Sequence, residues 1–215
     1  MASVFVTGAT GYMGRRLSTD LLARGHRVLG LARSASKGRI VPGCEAVTGD
    51  ALKGASYRES VAGCDTLVHL VGVAHPSPAK AAEFRSIDLV SAREAIQAAL
   101  HAGVRNLVYV SVAHPAPVMH AYIGARMEAE AAIRESGLNA TILRPWYVLG
   151  PGHRWPFVLK PFYWILELLP STRQGARRLG LVTLSQMVRA LAFAVEHSAP
   201  GVRVLGVPEI RACKP

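Results

Sequence analysis

The sequence predicts an α/β fold, a doubly wound parallel sheet with a small C-terminal extension. Three observations carry that expectation. Short runs rich in Val, Ile and Leu alternate with helix-like segments, the pattern of strands buried on both faces by helices. The first run passes through a glycine-rich turn directly into the first helical pattern, "SVFVTGATGYMGRRL". Half of the 215 residues are hydrophobic and 18% are charged, enough for one sizeable core.

The elements follow in order along the chain. "SVFVTG" reads as a strand and "GRRLSTDLLARG" as a helix closed by Gly25. "HRVLGLAR", "CEAVTGD", "DTLVHLVG" and "NLVYVSV" read as the second to fifth strands. A long helical pattern runs from about Ala82 to Ala102, between the fourth and fifth strands. A second helix carries Tyr122 and ends at Gly137, before the strand "NATILRP". "LSQMVRALAFAVEHS" is an amphipathic helix, and "GVRVLGV" is a last strand. Right-handed crossovers between parallel strands then give the doubly wound topology. No linker marks a second domain, so residues 1–215 read as one unit, with 146–215 contributing an extension on the substrate side.

The net charge is +11 and the pI about 10.2. Basicity of this kind suits an anionic ligand, nucleic acid or an anionic membrane. It is concentrated late: between Ala140 and Val195 the only acid is Glu167, against Arg144, Arg154, Lys160, Arg173, Arg177, Arg178 and Arg189. No zinc finger, RNA-binding motif or lysine-rich arm accompanies it, so no nucleic-acid partner is expected. The first strand begins almost at once, which leaves no room for a signal peptide. Cys44, Cys64 and Cys213 are an odd, scattered set without metal-ligand spacing, which suggests a reducing compartment and a cytoplasmic location.

The turn "TGATGYMG" places Gly8, Gly11 and Gly14 between a strand and a helix. Gly8 permits the tight turn, Gly11 lets the backbone approach a pyrophosphate, and Gly14 lets helix and strand pack closely. The helix N-terminus adds free N–H groups and partial positive charge. A dinucleotide is therefore expected. At the end of the second strand an NAD site usually offers a carboxylate to the ribose; here stand Arg33, Ser34, Lys37 and Arg39. A guanidinium suits a 2′-phosphate, which favours NADP over NAD. The alternative for Arg33 is a solvated turn residue, and Asp50 either meets the adenine or equally caps the next helix.

These residues resemble the short-chain dehydrogenase/reductase superfamily in its atypical or extended branch, a Rossmann-fold family. The resemblance rests on "TGATGYMG", on Gly49–Asp50 after the third strand, and on "LVHLVG". It also rests on Ser111 ending the fifth strand, Tyr122 on the next helix, and "ESGLNATILRPWYVLGPG". It covers residues 3 to about 152 firmly and the remainder loosely. The chain also resembles a subgroup with the NADPH-binding accessory subunit of respiratory complex I and the NmrA-like NADP sensors, whose members often bind cofactor without known turnover.

The resemblance implies a cofactor site of Gly8, Thr10, Gly11, Tyr12, Met13, Gly14, Arg33, Ser34, Asp50, Ala51, Val71, Gly72, Pro145 and Tyr147, with no metal. It implies Tyr122 as general acid/base and Ser111 as the group that orients the substrate oxygen. A free tyrosine has a pKa of about 10, too high for a base at neutral pH, and a fixed cation favours the phenolate. The family keeps a lysine one turn after the tyrosine. This chain has Arg126 there, always charged but planar and bulkier. Arg126 shares a helix stripe with Tyr122, Ala129 and Ile133, so it either faces the cofactor or pairs with Glu130 on a wet face.

Of the histidines, His69 reads as a packed core residue. His114 and His120 read as loop filler or substrate contacts. His75, His101 and His153 complete a set without metal-site spacing. "RWPFVLKPFYWILELLP" is too short and too interrupted to span a bilayer. Its aromatics and flanking arginines fit a substrate lid, a peripheral membrane contact over 155–170 or an ordinary packed helix. The leading expectation is a reductase of a small or apolar carbonyl. A non-catalytic NADP(H) sensor or assembly protein is the alternative, and a homodimer is compatible with either.

Overall fold

The computed structural model describes residues 1–150 and 178–213. The aromatic segment 155–170 and His153 lie outside the described residues.

The chain begins with β1 (Ser3–Thr7), a tight turn and α1 (Tyr12–Ala23). β2 (Arg27–Ala32) leads into a 3₁₀ turn, Ser34–Arg39, and β3 (Glu45–Thr48) follows. The short α2 (Arg58–Val61) precedes β4 (Thr66–His69). Next come α3 (Ala81–Glu83), a π-helical stretch (Phe84–Leu89) and α4 (Val90–His101). β5 (Asn106–Val110), α5 (His120–Glu135) and β6 (Ala140–Leu143) complete the region of firm resemblance. Beyond it lie β7 (Tyr147–Leu149), β8 (Leu181–Thr183), α6 (Leu184–Glu196), β9 (Val202–Leu205) and α7 (Val207–Ala212).

Seven strands form one sheet in the order β3-β2-β1-β4-β5-β6-β9. Every neighbouring pair is parallel, for example Val4 against Thr66 across β1 and β4. The strand order reverses direction between β1 and β4, and a crevice opens there beyond the carboxyl ends of the strands. One core layer packs Leu17 and Leu21 of α1 with Met187 and Leu191 of α6 against Val4, Val6 and Val108. The other packs Ala95 and Ile96 of α4 with Ala129 and Ile133 of α5 against Phe5, Leu67 and Leu107. Each strand residue therefore meets apolar atoms whichever way it points, which explains the uninterrupted apolar runs of β1, β4 and β5.

The expected elements are all present, with three refinements. The pattern from Ala82 to Ala102 is helical but not uniformly α: the π stretch interrupts it and carries Asp88 fully buried. β7 and β8 pair with each other in a small separate sheet that the sequence pattern did not suggest. α6 and β9 belong to the main layers, so much of the late region is part of the central fold. α6 starts in a complete capping box, Thr183 accepting from the Gln186 N–H while the Gln186 side chain accepts from the Thr183 N–H.

Candidate active site

The glycine turn is built as its spacing implies. Gly8 sits at φ +75°, and a Cβ on it would approach the Leu70 backbone at 3.0 Å. A Cβ on Gly14 would collide with the Gly8 carbonyl and lie 2.8 Å from the Ala9 Cα. α1 starts at Gly11 with extended backbone and no side-chain cap. This uncapped helix start is the kind of N-terminus at which backbone N–H groups meet an anion.

From this turn a cleft of about 480 Å³ runs across the ends of β1 to β4. Gly8, Thr10, Gly11, Arg33, Asp50, Ala51, Val71 and Gly72 all line it. So do Arg39, named with Arg33 in the sequence, and two groups not read from it, Ser36 and Lys80. Lys80 donates to the Ala74 carbonyl at 2.6 Å and so tethers the loop after β4 along the cleft. Asp50 accepts from the Leu52 N–H at 3.0 Å, so it caps its local turn while still lining the cleft. Ser34 stands exposed at the start of the 3₁₀ turn, and Ser36, two residues on, faces the cleft in its place.

A second cleft adjoins the start of α1. Tyr12 and Met13 form one wall, Tyr122, Met119 and Val112 another, and Trp146, Tyr147 and Val148 a third. Its volume is about 380 Å³, and its lining is mainly apolar and aromatic. His75 and Met119, both lining it, have left-handed backbone at φ 51° and 61°. Such residues cost roughly 1–3 kcal/mol each and cluster where function holds them. Pro145 is buried beside this cleft, its carbonyl accepting from the Ala113 N–H at 2.8 Å.

Arg126 is not on a wet face; it is 5% exposed. Nη2 donates to Asp88 Oδ1 at 2.6 Å, and Nη1 donates to the Val110 carbonyl at 2.8 Å and to the Tyr109 hydroxyl at 3.3 Å. Its guanidinium lies between two rings, 5.2 Å from the Tyr122 centroid and 5.7 Å from that of Tyr109. A Cβ added to Gly72 would strike Nη2, so the arginine reaches the floor of the cofactor-side loop. Burial works against its charge, but Tyr109, Tyr122 and Asp88 outweigh it and raise its pKa above the ordinary value. Nε is buried without a partner among the described residues. Asp88, which completes this arrangement with a bond from the Val73 N–H, has a faint sequence signal: a lone acid between Ile87 and Leu89.

Ser111 is placed differently from the sequence expectation. It is 3% exposed and donates to Glu130 Oε1 at 2.6 Å; the neighbouring residue, Val112, is the one that lines the cleft with Tyr122. Glu130 is 1% exposed and gathers several donors. Arg144 pairs with it in bidentate fashion, Arg134 reaches it at 3.0 Å, and His114 lies 3.4 Å away. Burial opposes its ionisation, but Arg144, Ser111 and Arg134 outweigh burial and hold the carboxyl below its usual range. Glu130 therefore does not pair with Arg126. His114 belongs to this cluster, and burial lowers its pKa with help from Arg144.

His69 is a core residue, as expected. It is 1% exposed, meets Thr7 Oγ1 at 2.9 Å and stacks on Tyr109. Burial pushes its pKa down to about 3. Among the described residues no helix is long and apolar enough to cross a membrane.

Residues 8–153 match the family described as NAD(P)H-binding. The chain is 28% identical over 168 residues to a 4-hydroxy-2-methyl-3-oxo-4-farnesyl-3,4-dihydroquinoline-1-oxide ketoreductase of Stigmatella aurantiaca, covering 68% of this chain and 50% of that protein. It is 29% identical over 201 residues to the ceramide reductase of Caulobacter vibrioides, covering 91% of this chain and 58% of the relative. The chain thus spans little more than half the length of these curated relatives. Its fold is that of the Bordetella bronchiseptica enzyme WbmH in complex with NAD+, with a TM-score of 0.71 at 23% identity over 96% of this chain and 76% of the other. The chain belongs to the NAD(P)H-binding family and has a Rossmann-type fold.

Proposed function

We propose, from membership of that family, that the chain is an NADP(H)-dependent reductase of an apolar carbonyl compound. The observation that carries this reading is the position of Tyr122. It lines an apolar, aromatic cleft that shares Tyr12 and Met13 with the start of the cofactor-binding helix, and the Arg126 guanidinium lies against its ring face.

The cofactor-side cleft fits a dinucleotide. The N-terminus of α1 would take the pyrophosphate, with Gly11 placing no side chain between the backbone and the ligand and Gly14 letting the helix pack against the turn. Arg33 and Arg39, with Ser36 between them, would take a 2′-phosphate, which supports NADP over NAD. When bound, the cofactor would supply a hydride to the carbonyl carbon. Tyr122 would hold the carbonyl oxygen and pass it a proton. Arg126, kept charged by its surroundings, would stabilise the phenolate left behind. Met13, Val112, Met119 and Val148 with the aromatic walls would exclude water and hold an apolar substrate. The ketoreductase and ceramide reductase that the chain resembles are named for lipid-like substrates, which agrees with this lining.

A second reading, cofactor binding without turnover, is favoured by one observation: Asp88 and Glu130 already engage Arg126 and Ser111. The test is NADPH oxidation with a panel of alkyl and aryl ketones, wild type against Tyr122→Phe, alongside calorimetric titration with NADPH. Turnover that falls about 100-fold or more in the variant supports the reductase. Turnover unaffected by the substitution removes Tyr122 from the reaction. Saturable NADPH binding with no ketone reduced establishes the second reading.

A further inference from the structure

Ser111 and Val112 are consecutive at the end of β5, and their side chains have opposite surroundings. A hydroxyl carries one proton, and Ser111 gives its proton to Glu130 across 2.6 Å. Glu130 has no proton to return, because Arg144 and Arg134 hold it as a carboxylate. Ser111 is therefore spent as a donor, and it does not line the cleft. Val112, one step along an extended chain, projects to the other side. It is 3% exposed and contributes to the cleft wall with Tyr122 and Met119.

We infer that Val112 is the specificity-determining residue of this site, admitting ketones flanked by hydrocarbon and disfavouring those flanked by hydroxyl groups. The inference rests on the reductase reading. Its basis is local: among the described residues, the wall from position 112 to Tyr122 offers one phenol and no second hydroxyl, and the other hydroxyls of the cleft, those of Tyr12 and Tyr147, belong to its other walls. A carbonyl between alkyl or aryl groups needs only one donor and gains from contact with the Val112 methyls. A substrate hydroxyl seated against those methyls would be desolvated there without a donor at position 112, which is costly. Ser111 acts at a distance, as part of the buried pair that joins β5 to α5.

The test compares acetophenone with 2-hydroxyacetophenone as NADPH-dependent substrates of the full chain. Val112→Thr keeps the shape and adds one hydroxyl. It should shift the kcat/KM ratio toward the hydroxyketone by about tenfold, the worth of one hydrogen bond. Val112→Ala, which opens space without adding a donor, should move both substrates together. Ser111→Ala should lower the melting temperature and leave the ratio unmoved. An unchanged ratio in Val112→Thr, or a ratio shifted by Ser111→Ala, overturns the inference. If wild type turns over neither ketone, the reductase reading fails, and tryptophan quenching of the NADPH-loaded protein takes over. There the same tenfold change in relative Kd is expected for Val112→Thr, and an equal Kd ratio overturns the inference on its own.

Discussion

The cleft across β1 to β4 and the pocket around Tyr122 lie side by side, but different kinds of contact build them. In the first, the groups that matter come from the ends of successive strands: Gly8 after β1, Arg33 after β2, Asp50 after β3 and Gly72 after β4. Each is placed by the strand it follows, and any doubly wound sheet brings those ends together. In the second, the decisive bonds join residues far apart in sequence. Arg126 meets Asp88 across 38 positions and Ser111 meets Glu130 across 19. A site placed by strand ends depends less on particular side chains than one placed by buried pairs, so substitutions are expected to disturb the second more. Around Arg126, Asp88 and the rings of Tyr109 and Tyr122 accommodate the bulk and charge of the guanidinium.

The sharpest way to break this contrast is at the glycine turn. Gly14→Val puts a side chain into the Gly8 carbonyl and the Ala9 Cα, backbone against which nothing can give. About 3 kcal/mol or more of stability should be lost, and NADPH binding with it, by thermal melting and calorimetric titration. Full NADPH affinity in that variant would show that the turn is not the phosphate site.

The next effect belongs to the other region. Glu130→Gln leaves Arg144 without its counter-charge and should cost about 3 kcal/mol, roughly 6–12 °C in Tm for a chain of this size, while NADPH binding persists. The pH dependence follows from the lowered carboxyl. A depressed folded pKa adds stability above the unfolded value, about 4.3, and that stability is lost as pH falls through the folded value. Wild type and variant should therefore differ by a constant amount above about pH 5 and converge as pH falls below it through the folded value. If the gap is as large at pH 3 as at pH 7, the charge pair is not its source.

The smallest effect sharpens the first region. Arg33→Ala should weaken NADPH by about tenfold, the worth of a charge-assisted bond, and leave NADH unchanged. Equal losses for both cofactors would assign Arg33 to the adenine or to the turn rather than to a 2′-phosphate.

The strand and helix order, the glycine turn and the shared helix stripe of Tyr122, Arg126, Ala129 and Ile133 were all legible in the sequence, while the choice between a buried and a wet Arg126 stayed open. They depend on local periodicity and on glycine chemistry, which a chain carries in its own spacing. The tertiary structure alone decided that Asp88 takes Arg126, that Glu130 takes Ser111 and Arg144, and that Val112 faces the cleft. A single step along an extended strand exchanges the two faces of the sheet, and an ion pair between distant elements leaves no periodic trace. The sequence by itself thus determined a dinucleotide-binding doubly wound sheet, because its signals are local. Only the packed fold decided which hydroxyl, cation and methyl groups stand around Tyr122, because those choices depend on contacts across many residues.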